Sequence, residues 1–261
     1  MIKFPTKIGD FIFEIQCTTK VFKEFLNTHF MTLTKAQVQK PDITIVIKNN
    51  YGVPFVNYDV SIKSVDSKIF YKRADYFIEV NNCFKHAVIS VHNELALKHA
   101  LMNLFSAFLV HHNWGLLVHS SCAVEHGVAH LFAGQSGAGK STVARLSKPR
   151  NLLSDEAAIL KISKDSITIF DSPFRSELKP LKLQNAYPLK SIQLLNQALK
   201  NERILLNKAD GLIQLIDKVF YWPYCSEETT RIIKLLKLLV KQVPIYELHF
   251  QKNNMFWELI S

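Results

Sequence analysis

One run of residues has the spacing of a phosphate-gripping loop. Gly134, Gln135, Ser136, Gly137, Ala138, Gly139, Lys140 and Ser141 fit G-x-x-x-x-G-K-[ST] at every required position. The apolar stretch VAHLFA precedes the run and STVARLS follows it, which predicts a strand, a loop and a helix in that order. Small residues allow successive backbone N–H groups to turn inward around phosphate oxygens, and the following helix adds its N-terminal N–H groups and dipole. Lys140 is expected to reach the β- and γ-phosphates of ATP, and Ser141 to ligate Mg²⁺. Thr142, next in the chain, is grouped with this nucleotide-binding run.

A magnesium-nucleotide site needs a carboxylate as well, usually at the end of a neighbouring buried strand. Asp155 lies fifteen residues beyond Lys140, which leaves room for one helix, the turn Lys148-Pro149-Arg150 and the short strand LLS. Glu156 follows at once. Two adjacent acids allow a division of labour, in which one holds the metal and the other accepts a proton from an attacking hydroxyl. Asp155 is read as the base and Glu156 as the metal ligand, with either order open; the plain alternative is a solvated acidic turn. Arg175, in a loop opened by Pro173, is a candidate for neutralising charge on a transferring phosphoryl group, or equally a surface arginine.

These residues need a frame. Residues 1–92 carry short runs of near period-two alternation, DITIVIK at 42–48, KIFYKR at 68–73, YFIEV at 76–80 and HAVISVH at 86–92, so a β-rich N-terminal region is expected. A short amphipathic helix is predicted over 21–30 and a longer one over 93–112, N-capped by Asn93. From residue 115 two strands, 115–124 and 128–134, flank a turn at Glu125-His126-Gly127, where Gly127 is free to take positive φ. A hairpin over 157–170, helices over 208–220 and 226–242 and a late strand over 243–250 complete the prediction. The chain is divided into a region 1–92 and a second domain 93–261, with an α/β fold whose mixed sheet carries the loop.

The 261 residues are 48% apolar and 21% charged, an ordinary globular balance. No apolar run approaches the roughly 18 residues that span a bilayer, and the N-terminus lacks the continuous apolar stretch of a signal peptide. No membrane association and a cytoplasmic location are expected. The four cysteines, Cys17, Cys83, Cys122 and Cys225, show no metal or disulfide spacing and are read as free buried thiols. A net charge of +10 favours an anionic partner, but the lysines are scattered without interleaved stacking aromatics, so nucleic acid is not expected.

The runs GLLVHSSCAV, HLFAGQSGAGKST and LLSDE together resemble the HPr kinase/phosphorylase superfamily, which shares its P-loop core with phosphoenolpyruvate carboxykinase. The likeness covers about residues 114–175. Beyond it, SPFRSELKP at 172–180 and PLKSIQLLNQ at 188–197 look like stand-alone relatives, some of which phosphorylate a precursor serine in lasso-peptide pathways. The resemblance implies a phosphoenolpyruvate carboxykinase-like core in which a strand-ending histidine, here His119, precedes the loop and an acidic pair, here Asp155 and Glu156, follows it. It moves His119 from a sheet-edge residue toward a catalytic one. The family's pair is usually Asp-Asp, and the Gly-rich C-terminal signature of the bifunctional enzymes is not found, so phosphorolysis and HPr as substrate are not implied. The expectation is an ATP- and Mg²⁺-dependent kinase acting on a hydroxyl, with a peptide or small protein as acceptor and Asp155, His119, Lys140 and Arg175 as catalytic residues. A nucleotide-binding accessory protein and a small-molecule kinase are the alternatives. Oligomeric state is left open, a homo-oligomer among the readings.

Overall fold

The computed structural model describes residues 1–34, 40–182 and 185–260. The chain divides into two compact units, one formed by residues 1–112 with 221–229 and the other by 113–220 with 230–261.

In the first unit, β1 (Ile2–Ile8) and β2 (Phe11–Cys17) form a hairpin, followed by α1 (Lys20–His29), β3 (Ile43–Lys48), β4 (Ser61–Val65), β5 (Lys68–Lys72), β6 (Tyr76–Asn81), β7 (His86–Val91) and α2 (Glu94–His111). The strands make one mixed sheet in the order β1-β2-β3-β7-β6-β5-β4, with β4 at an edge. Strict alternation explains its two faces: Ile69 and Tyr71 on β5 and Tyr76, Ile78 and Val80 on β6 are fully buried, whereas their neighbours point the other way. Asn93 caps α2 by accepting from the Ala96 N–H at 3.0 Å. The sequence predicts one wide apolar face on this helix, but burial is continuous from Ala100 to Val110, as for a helix covered all round. Because α2 packs on β6 and β7, the first unit runs to residue 112 and not to residue 92.

In the second unit, β8 (Gly115–Glu125), β9 (Val128–Ala133), α3 (Lys140–Leu146), β10 (Asn151–Ser154), β11 (Ala157–Ile162), β12 (Ile167–Phe170), β13 (Ala186–Gln197), β14 (Glu202–Leu205), α4 (Lys208–Ile216), α5 (Ser226–Gln242) and β15 (Ile245–Phe250) follow in order, α5 beginning in the first unit. A 3₁₀ helix closes the chain at Asn254–Leu259. The two longest strands serve two neighbours each along their length. The first half of β8 pairs with β11 and its second half with β9 and β10. β13 pairs in succession with β12, β9 and β15. The ladder therefore closes through β8, β11, β12, β13 and β9, and β9, β13 and β15 run parallel. The turn between β8 and β9 holds both His126 and Gly127 at positive φ (49° and 80°), the geometry of a tight hairpin.

The predicted helix over 208–220 ends early, at Ile216, because the backbone after it is claimed by β8: Val219 bridges Val118, and the Phe220 N–H donates to Leu117 O at 2.9 Å. Of the cysteines, Cys17 and Cys122 are buried and Cys225 partly so, but Cys83 is exposed, which corrects the expectation for that residue. No helix among the described residues is long and apolar enough to cross a membrane.

Candidate functional site

The loop between β9 and α3 is fixed by close contacts that permit only small residues. Gly139 caps α3 at φ 106°, and a Cβ there would lie 2.6 Å from Phe250 Cζ. A Cβ on Gly134 would come within 2.7 Å of that of Ala138. The loop turns through the Ala138 N–H donating to Gln135 O at 3.1 Å, and the Gln197 amide at the end of β13 braces it by donating to Gly137 O at 2.7 Å. Helix α3 is anchored by Val143 and Ala144, which bury against Phe132, Phe250, Phe256 and Trp257. Lys140 is 8% exposed and donates to Gly134 O at 2.8 Å and Gln135 O at 2.9 Å, so its ammonium is folded back onto its own loop.

A cavity of about 360 Å³ opens beside this loop. Ser136, Gly137, Gly139, Lys140, Ser141 and Thr142 border it from the loop; His119, Asp155 and Glu156 border it from β8 and the β10–β11 junction. Gly134, Gln135 and Ala138 belong to the loop without lining the cavity. A β-bulge sets the acids: the β10–β8 register slips between Leu152 and Ser154, then holds through Ser154↔Cys122 to Ala157↔His119, so the acids fall between two stretches of ladder. Ser154 Oγ donates to Ser120 O at 2.8 Å, and the Ser120 N–H donates to Glu156 O at 3.0 Å, which locks both flanks.

The two acids are not equivalent. Asp155 is 4% exposed and accepts three backbone N–H groups, from Ser176 at 3.1 Å, Glu177 at 2.9 Å and Leu178 at 2.8 Å. Three of roughly four lone-pair positions are thereby taken, which leaves Asp155 one position for a further contact. Glu156 borders the cavity, and its charge acts on Lys140 to favour the ammonium form.

Arg175 does not reach the cavity. It is 2% exposed, paired with the Asp171 carboxylate, and donates to Leu152 O at 2.8 Å and Ser172 O at 3.0 Å. Its sequence reading as a phosphoryl-neutralising group is therefore corrected: its donors tie the 171–178 loop to β10. Three residues the sequence reading passed over come forward instead. Gln197 and Lys252 border the cavity. Lys218 is 8% exposed, lies one residue before the Val118–Val219 bridge, and its carbonyl accepts the His119 N–H at 2.6 Å.

Burial, assisted by the Lys140 and Lys218 charges, holds the His119 imidazole down to about 4. Lys140 is also held below its usual range, by burial first and by Lys218 second. Lys140 in the cavity thus feels the charge of Lys218, which lies outside the lining and pairs with Asp217, and both lysines help keep the His119 imidazole neutral, an electrostatic state that an anion in the cavity would relieve. His130 and His99 are likewise depressed to about 4, chiefly by burial. All three sit below the ordinary value of about 6.5. The unfolded chain therefore takes up protons first, and stability present above pH 6.5 is lost as pH falls toward 4. Thermal melts between pH 7 and pH 4 are expected to show this loss, about 1–2 kcal/mol for each of His99 and His119 given their partial access to water, and His119→Gln should flatten the slope.

A magnesium-nucleotide complex calls for anion-binding amides, a cation and a hard oxygen donor. The glycine cradle that a Cβ would fill, the desolvated Lys140 and the Ser141 hydroxyl suit phosphate oxygens and a hard cation. Among the described residues no three His, Cys, Asp or Glu side chains converge as a metal cage. Mg²⁺ is commonly bound through one or two carboxylates and the phosphates themselves, and Asp155 and Glu156 are the carboxylates that border the cavity.

No curated protein matches the chain. The family model of the SynChlorMet cassette protein ScmC matches residues 79–261, well over half of the sequence. That span takes in every residue lining the cavity, so the site lies in the family's own portion of the chain, which belongs to the SynChlorMet cassette protein ScmC family.

Proposed function

We propose that the protein is an ATP-dependent kinase that transfers the γ-phosphoryl group to a hydroxyl, with a serine of a peptide or small protein as acceptor, on a P-loop core like that of the HPr kinases. The observation that carries this reading is the meeting, in one cavity, of the glycine-cradled Lys140 and the Asp155-Glu156 pair. Main-chain amides of 136–141 hold the phosphates, and Lys140 leaves the carbonyls of Gly134 and Gln135 to meet the transferring group. Ser141 with the acids would hold Mg²⁺, whose chemistry is to neutralise charge on the phosphate oxygens.

The saturation of Asp155 moves the base assignment to Glu156. Its carboxylate takes the proton of the acceptor O–H, the new O–P bond forms, and the bond from the γ-phosphorus to the bridging oxygen breaks to release ADP. Asp155 holds residues 176–178 in place and keeps one lone pair for the metal. His119, neutral, accepts or donates a hydrogen bond without adding charge.

The test is transfer of label from γ-labelled ATP to a serine-bearing peptide. Bound nucleotide with no label transferred and no ADP formed supports an accessory nucleotide-binding protein instead. Glu156→Gln is expected to lower transfer about 10²–10³-fold with nucleotide affinity nearly unchanged. Asp155→Asn should lower Tm, because the amide would turn an N–H group toward backbone donors.

A further inference from the structure

We infer that the outer face of the first unit's sheet, beside its open β4 edge, is a docking site for an extended acidic peptide segment with apolar side chains. This goes beyond the kinase reading and does not rest on it.

The face is built from residues that alternation leaves outside the core. Phe70 on β5 and Phe77 on β6 point away from buried Tyr71 and Ile78. The Tyr51 ring lies 5.9 Å from that of Phe77, and Phe77 lies 5.9 Å from Phe70, with interplanar angles of 23° and 15°. The three half-buried rings form a ladder along one side of a cavity of about 830 Å³. Its walls are held in advance of any ligand. Gly52, at φ 63°, sits so close to Ala74 that a Cβ would lie 2.0 Å from its carbonyl oxygen. The Val53 N–H donates to that same oxygen at 3.0 Å, and the Tyr51 N–H to Val91 O at 3.2 Å. Little ordering remains to be done on binding.

Charge selects the occupant. Lys63 and Lys72 are exposed at the cavity and have no carboxylate partner among the described residues. Of the carboxylates near this face, Glu79 and Asp75 are ion-paired, and Asp59, which borders the cavity, is oriented by a neutral amide. Asp59 accepts from Asn57 at 2.8 Å, Glu79 pairs with Lys68 at 2.7 Å, and buried Asp75 takes both Nε and Nη2 of Arg73. The surface therefore offers two lysines without an ion-pair partner against one carboxylate, Asp59, beside apolar rings, a net positive complement to acidic and apolar side chains in alternation.

The open edge selects an extended backbone. No strand among the described residues pairs with the outer side of β4, and Val65 beside it is 52% exposed, as are Val53 at 52% and Val56 at 66% on the adjoining loop. An added strand would satisfy the free N–H and C=O groups and lay alternate side chains toward Phe70 and Lys63, which face each other across β4 and β5. A second copy of β4 fits poorly, since it would bring lysine toward lysine. Single-stranded nucleic acid is less well served than a peptide, because the rings spend their faces on one another and not on a base.

The test uses the full chain and fluorescence anisotropy. The probe is a fluorescein-labelled decapeptide alternating glutamate with valine and phenylalanine. Its controls are a glutamate–serine decapeptide of equal charge and an oligouridylate of equal length. The expected result is that the apolar-acidic probe binds at least about tenfold more tightly than either control, and that the double variant Lys63→Glu/Lys72→Glu weakens it at least about tenfold without lowering Tm. Lys140→Met, in the other unit, should leave this binding unchanged, so the outcome stands apart from the kinase test. Equal binding of the two peptides, tighter binding of the oligouridylate, or indifference to the double variant overturns the proposal.

Discussion

Lys140→Met is expected to reduce phosphoryl transfer by at least about 10²–10³-fold, the scale of losing one preorganised charge at a developing oxyanion, while leaving Tm unchanged or slightly raised. The two halves of the expectation have separate origins. In the folded chain the ammonium is largely withdrawn from water, and its compensation is two carbonyls of its own loop. Burial and Lys218 both work against its charge. Methionine keeps most of the volume and removes the repulsion, and exchanging a buried charge for an apolar isostere is often neutral or stabilising. In the kinase reading the same cation is needed to meet phosphate, so binding of Mg-ATP by calorimetry should weaken as well. A variant that melts like the natural chain and transfers at the natural rate would remove Lys140, and with it the phosphate-loop reading, from the mechanism.

What was legible in the sequence is what is local in the chain. The glycine pattern of 134–141 specifies its own backbone, because Gly137 and Gly139 take φ values of 80° and 106° that other residues rarely adopt. Alternation in 68–80 and the cap at Asn93 are equally local, and the strands and helix they predict are present. What the sequence left open or passed over depends on partners far along the chain. Asp155 is occupied by amides that arrive about twenty positions later, and amides leave no signature in residue type. Lys218 comes beside His119 only because residues 218–220 bond to β8, a tertiary demand that also shortens the helix before it. Gln197 reaches the loop at the end of a strand in which Pro188 obscures the pattern; that proline sits opposite Thr168 near the start of β12, ahead of the longer pairings of β13 with β9 and β15.

Arg175→Met is expected to destabilise the protein by about 3–5 kcal/mol and lower Tm by about 10 °C. The guanidinium is 1% exposed and the Asp171 carboxylate 3%, so truncating one partner leaves a buried carboxylate without its countercharge. The carbonyls of Leu152 and Ser172 lose their donors in the same step. The double variant Arg175→Met/Asp171→Leu removes both charges and should recover most of the loss, since apolar replacement of a buried pair is often neutral. Activity then separates positioning from catalysis. Arg175 ties the 171–178 loop to Leu152 on β10, and the Ser172 N–H adds a bond to Leu153 O at 2.9 Å. The same loop supplies the three amides that fix Asp155, two residues beyond Leu153. A double variant that regains both its Tm and most of its transfer activity would establish that Arg175 acts through Asp155. One that regains its Tm but transfers no label would put the guanidinium on the phosphoryl group, a position it could reach only if the clamp onto Asp171 opened when nucleotide binds.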